Sequence, residues 1–140
     1  MNNFKNNAIL SGSNIYLRHP VRGDLDEFIR KMNSSHDFIF PWISVPEKNE
    51  NFMELLRRVP QKIRDAFFIC RIKDDEITGV IKLNGISFVP ERKAFVEYFS
   101  VQSFSGKGYM KEGMKLLFHY VYRDLKLNRL EAAIQPGNFF

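Results

Sequence analysis

Residues 103–113 read SFSGKGYMKEG, with Gly106 and Gly108 flanking Lys107 and a helical pattern following at once. Glycine adopts left-handed backbone conformations and has no side chain to keep a ligand away. The first turn of a helix carries N–H groups without intrahelical partners, and the helix dipole adds partial positive charge there. A strand, a short loop with two close glycines and a helix therefore form a place for an anion. The same residues also read as a plain helix entry with an exposed lysine face, since Lys107, Lys111 and Lys115 are spaced four apart. The flanking sequence decides between the two.

Upstream, residues 94–101 (AFVEYFSV) read as a strand. Downstream, Met110, Met114, Leu117, Phe118, Val121 and Leu125 recur at helical spacing, which predicts a helix over 109–124. Residues 129–135 (RLEAAIQ) alternate and read as the final strand, ended by Pro136 and Gly137. A helix joining two strands of one sheet is a crossover, so those strands run parallel or nearly so.

Further out, residues 66–72 (AFFICRI) and 77–85 (ITGVIKLNG) flank the turn KDDE and predict an antiparallel hairpin. PERK turns the chain again into the 94–101 strand. Residues 14–18 (NIYLR) read as a short strand broken by Pro20 and Gly23. Asp24 is expected to open a helix, with Glu27 in capping-box position and Leu25, Phe28, Ile29 and Met32 on one stripe. DFIFPWISVPEK is an aromatic loop, and a second helix follows with Phe52, Leu55, Leu56 and Val59 on one face, ended by Pro60. Residues 1–13 are expected to form a flexible N-terminus and 14–140 a single domain. The fold class is α/β in the α+β sense: a mixed, mostly antiparallel sheet flanked by helices.

The 140 residues suit one core; 44% are hydrophobic, 26% are charged, and 14 are phenylalanines available for aromatic packing. Net charge is +5 and pI ≈ 9.4, which favours anionic partners. The lysines and arginines form no long run and no helix-turn-helix or RNA-binding signature is present, so a phosphate-bearing small molecule ranks above nucleic acid. The single cysteine, Cys70, excludes an intrachain disulfide and reads as a buried, inert thiol. His19, His36 and His119 have no metal-ligand spacing, so no metal is expected. The chain lacks a signal-peptide pattern and any apolar run of roughly 18 residues, and it reads as a soluble, cytoplasmic protein.

Two familiar phosphate loops do not match. A Walker loop requires Ser or Thr after Gly-Lys, and here Gly108 follows Lys107. The dinucleotide fingerprint requires a third glycine where Lys111 stands. A third possibility is a loop between a strand and a helix whose backbone N–H groups face a pyrophosphate, with a plain helix entry as the alternative.

The stretch VQSFSGKGYMKEGMKLLFHYVYRDLKLNRLEAAIQPGN resembles the GNAT superfamily of acetyl-CoA-dependent N-acetyltransferases. It looks closest to the branch that acetylates the N-termini of ribosomal proteins. IYLRHPVRGDLDEFI, the PWI segment and ITGVIKLNGI also fall where that branch has counterparts. The resemblance implies that the backbone at Phe99, Ser100 and Val101 pairs with the pantetheine arm of acetyl-CoA. It implies that N–H groups of Ser105, Gly106, Lys107, Gly108, Tyr109 and Met110 hold the pyrophosphate. The last strand would splay from its neighbour to admit the acetyl group, with Asn138 near the thioester. The chain departs from the family at Glu97, where a small residue is common, and it stops where the family continues with another helix and two strands. A C-terminally incomplete domain, pairing with a second copy through its exposed last strand, is the resulting expectation.

The reaction so implied is acyl transfer to a primary amine, on a protein N-terminus or a small molecule. Glu97 is the candidate general base, with a solvent-facing strand residue or lysine partner as the plainer role. Tyr98 is a candidate hydrogen-bond donor or a core aromatic. Phe40 and Trp42 line the acceptor side or pack on the first helix. His119 reads as a surface histidine, and Glu131 as an ion-pair partner of Arg129. A remnant that binds acyl-CoA without turnover is the alternative, and a basic nucleic-acid-binding domain is a third.

Overall fold

From Ala66 to Cys70 every side chain is apolar, and a strand of that kind needs cover on both faces. In the computed structural model, which describes residues 8–34, 48–59 and 61–132, all five of these residues are fully buried. They belong to β3 (Asp65–Arg71), in the interior of a sheet. Its order among the described residues follows the sequence: β1 (Leu10–Ser11), β2 (Ile15–Arg18), β3, β4 (Ile77–Ser87), β5 (Lys93–Ser100) and β6 (Arg129–Ala132). Each neighbouring pair is antiparallel except β5 and β6, which are parallel, as the crossover requires.

One face is covered by α1 (Leu25–Ser34) and α2 (Lys48–Arg58), whose Phe28, Met32, Phe52 and Leu55 pack on Tyr16, Phe68, Cys70 and Val80. The Phe28 ring lies 5.5 Å from that of Phe52 and 6.1 Å from that of Phe68. Burying each such side chain stabilises the fold by about 1.5–3 kcal/mol. The other face is covered by α3 (Tyr109–His119), which brings Leu117 onto a layer of Ile15, Leu17, Phe67 and Ile69. Helical winding continues through Tyr120–Asp124 as a wider turn, so the predicted span of 109–124 is helical throughout but not uniformly α.

Three local expectations need correction. Residues 8–13 are not a loose tail: Leu10 pairs with Leu17 and Ser11 with Tyr16. Asp24 ends a 3-10 turn, Arg22–Asp24, instead of capping α1. Its carboxylate instead grips the buried Arg18 guanidinium at 2.7 and 2.8 Å and accepts the Val21 N–H at 2.9 Å. Removing one partner of such a pair strands a buried charge and costs about 3–5 kcal/mol. Glu27 makes no capping box; its Oε2 accepts from the Ile77 N–H and from Lys31 Nζ, each at 2.8 Å, tying α1 to the start of β4.

Cys70 is buried, and that burial pushes its thiol up to about 12, consistent with an inert side chain. No group of His, Cys, Asp and Glu among the described residues is arranged to hold a metal ion. No helix among them is long and apolar enough to cross a membrane.

Candidate active site

The end of β5 leads through a 3-10 turn, Gln102–Phe104, into the glycine loop and then α3. Gly106 and Gly108 have φ of +78° and +82°, in the left-handed region. A non-glycine residue there is strained by roughly 1–2 kcal/mol. Neither glycine is crowded, since a Cβ at either position would meet nothing within 4 Å. Backbone conformation, rather than lack of space, therefore accounts for both.

The loop's N–H groups are open. The first bond across the helix start runs from the Glu112 N–H to the Gly108 carbonyl, 3.1 Å. Among the described residues, no protein acceptor takes an N–H of Gly106 through Lys111, and no side chain caps the helix. Ser105 differs, because its N–H and its Oγ both donate to the Gln102 carbonyl, at 3.2 and 3.0 Å.

Beside these donors lies a groove of about 660 Å³. Tyr98 and Ser100 of β5 form one wall, Phe104, Ser105, Gly106 and Gly108 the rim, and Tyr109, Met110, Lys111 and Met114 of α3 the other wall. The helix start comes close to the sheet because small residues face it. A Cβ on Gly79 of β4 would lie 3.0 Å from Met110 Cε, and one on Gly113 would lie 2.6 Å from Ile69 Cδ1. Glu112 fixes the same turn sideways: its carboxylate accepts the Asn14 N–H at 2.8 Å, the Asn14 amide at 3.1 Å and the Ile15 N–H at 3.3 Å. Burial pushes the Glu112 carboxyl up, but those donors prevail and hold it below the usual range.

The structure thus brings Tyr98, Ser100, Ser105, Gly106, Gly108, Tyr109 and Met110 to one groove. Lys107 is exposed and does not line it. Phe99 and Val101 are buried in the core beneath α1 and α2. Glu97 also points to that opposite face, where its Oε1 accepts from Asn84 Nδ2 at 2.6 Å. Asn84 in turn accepts from the Arg58 guanidinium of α2 at 2.8 Å. Lys82 is the cross-strand neighbour of Glu97. Burial depresses the Lys82 ammonium pKa, partly offset by the Glu97 carboxylate.

Pairing of β5 with β6 runs from Lys93 with Arg129 to Val96 with Ala132. Phe40, Trp42, His36, Asn138 and the residues beyond 132 lie outside the described residues. His119 is exposed, and Arg129 Nε stands 3.7 Å from Glu131 Oε2, as the sequence suggests for both. Sequence reasoning missed Phe104 and Met114 as lining residues; a phenylalanine two residues before the first glycine was the available sign.

A family profile described as an acetyltransferase (GNAT) domain matches residues 14–139. "Probable N-acetyltransferase YjcK" of Bacillus subtilis is 29% identical over 138 residues, spanning 93% of this chain and 76% of that protein. Among solved structures, Mycobacterium smegmatis RimJ in complex with CoA-disulfide superposes with a TM-score of 0.77 at 18% identity, covering 89% of this chain and 64% of that one. Spermidine N-acetyltransferase from Vibrio cholerae, in complex with CoA and spermine, gives 0.71 at 18% identity, covering 88% and 72%. The chain spans under two thirds of the RimJ chain and about three quarters of YjcK. It belongs to the GNAT family of acetyl-CoA-dependent acetyltransferases.

Proposed function

We propose that this chain transfers an acetyl group from acetyl-CoA to a primary amine, on a protein N-terminus such as that of a ribosomal protein or on a small molecule. The observation that carries the reading is the run of N–H groups from Gly106 to Lys111 that meet no acceptor among the described residues, beside a groove. Preorganised backbone donors at a helix start bind a diphosphate without reorganising. Gly106, Lys107, Gly108, Tyr109 and Met110 hold the diphosphate in this reading, while Ser105 closes the turn before them. The backbone of Phe99, Ser100 and Val101 takes the pantetheine arm, and Asn138 stands near its thioester end. Acetyl-CoA supplies the activated thioester.

The two faces of β5 divide the work. Tyr98 lines the groove, and in this reading its hydroxyl is the candidate hydrogen-bond donor. Glu97 faces the other side, and among the described residues its Oε2 accepts no hydrogen bond. An amine approaching from the Glu97 face loses its proton to that carboxylate as its nitrogen bonds to the acetyl carbon and the carbon–sulfur bond breaks.

Calorimetry with acetyl-CoA, paired with a thiol-release assay on a mixture of amines, tests the reading. Binding of acetyl-CoA with amine-dependent thiol release supports it. Binding without release leaves an acyl-CoA-binding module and refutes the catalytic part. Gly106→Val forces a branched side chain into the left-handed region at an uncrowded position. It is expected to weaken CoA binding by at least ~10-fold while the circular dichroism spectrum stays that of the parent.

A further inference from the structure

The glycine loop is bracketed by two aromatic residues, Phe104 before it and Tyr109 after it, and one side chain from a distant strand touches both. Arg71, the last residue of β3, places its Cζ 4.8 Å from the Phe104 ring centroid and 5.9 Å from that of Tyr109. Its Nη1 donates to the Tyr109 hydroxyl at 3.4 Å, and the two rings lie 6.1 Å apart. The guanidinium is itself fixed by Asp74, which accepts from Nη2 at 2.6 Å and from Nε at 3.1 Å. Lys31 Nζ also stands near the Phe104 ring, 5.0 Å from the centroid. Lys31 is anchored by the Ile77 carbonyl at 2.7 Å and by Glu27 and Glu76 at 2.8 Å each. Phe104 thus has two cations within the ~6 Å range of cation–π attraction.

We infer that Arg71 is a positioning residue: it staples the two ends of the glycine loop together and so sets the spacing of the N–H groups that receive the diphosphate. The inference rests on the proposed diphosphate site. The need for a staple is physical. A segment with two glycines has an unusually large conformational freedom to lose. Ser105 secures only its first residue. Held at both ends by one rigid guanidinium plane, the loop presents its donors already in place. Arg71 does this through shape. Its planar group contacts two rings at once, which the ammonium of lysine does not reproduce. Its charge faces Asp74, so it acts on the loop and not as a phosphate ligand.

The test measures CoA affinity by calorimetry and the backbone order parameters of Gly106 and Gly108 in the ligand-free protein, for the parent, Arg71→Lys, Phe104→Leu and the double variant. Arg71→Lys keeps the charge and Phe104→Leu keeps most of the volume. Each is expected to weaken CoA binding by ~10-fold and to drop the loop's order parameter from about 0.85 toward about 0.6. The double variant is expected to be little worse than either single one, because both break the same staple. Phe104→Tyr, which keeps the ring, is expected to keep the order parameters of Gly106 and Gly108 at the parent's values. Full affinity in Arg71→Lys, or weakened affinity with an unchanged loop order parameter, overturns the inference. Gly106→Val separates the two readings. If it binds CoA like the parent, the diphosphate site itself is wrong. If it loses CoA while Arg71→Lys does not, the site stands and the staple falls.

Discussion

Gly113 of α3 lies so close above Ile69 of β3 that a Cβ on the glycine would stand 2.6 Å from Ile69 Cδ1 and 3.0 Å from Cγ1. Ile69 is fully buried. Gly113→Ala gains about 1 kcal/mol of helix propensity. It also overpacks this contact, at about 1–3 kcal/mol. Net destabilisation is expected in denaturant unfolding. Shortening the neighbour with Ile69→Val should reduce the Gly113→Ala penalty by about 1 kcal/mol in a double-mutant cycle. Strict additivity would show that the contact does not set the height of α3 over the sheet.

Acid should loosen α3 from the β1–β2 turn. Glu112 has its carboxyl pKa lowered in the folded chain, because N–H donors of Asn14 and Ile15 outweigh its burial. A carboxyl depressed on folding contributes stability above its unfolded pKa of ~4.3, and that contribution disappears as pH falls through the lower folded value. Glu112→Gln cannot ionise. Between about pH 5 and pH 3 its stability should fall less steeply than that of the parent. Parallel profiles would mean the carboxylate is not held by these donors.

The roles assigned to the two faces of β5 separate in kinetics. Glu97→Gln preserves the shape and a hydrogen bond to Asn84 but removes the base. The kcat is expected to fall by roughly 10²–10⁴ with the KM for acetyl-CoA unchanged. An unaltered kcat would reduce Glu97 to a partner of Asn84 and Lys82.

Much of the architecture is readable from periodicity. Phe28 with Met32, Phe52 with Leu55, and Leu117 with Val121 announce three helix faces, and each pair is buried where the spacing puts it. The glycine loop is readable from Gly106 and Gly108 because left-handed backbone has a residue signature. Long-range polar contacts have none. The bond from Glu27 to the Ile77 N–H spans fifty residues, and the contact of Arg71 with Tyr109 spans 38. Both depend on which strands become neighbours, and local pattern does not encode that. The strand Leu10–Ser11 has two residues, too few for alternation to register, and so the sequence suggests a tail. Glu97 and Tyr98 are adjacent in sequence, yet strand geometry sends them to opposite faces, so proximity along the chain misleads about which of them meets the groove.

The backbone amide spectrum of the isotopically labelled chain, recorded while CoA is titrated in, tests the diphosphate site most directly. The N–H signals of Gly106, Lys107, Gly108, Tyr109 and Met110 are expected to move furthest, and added salt to reverse their shifts. If those signals stay in place while amides elsewhere respond, the donors at the start of α3 do not bind the coenzyme.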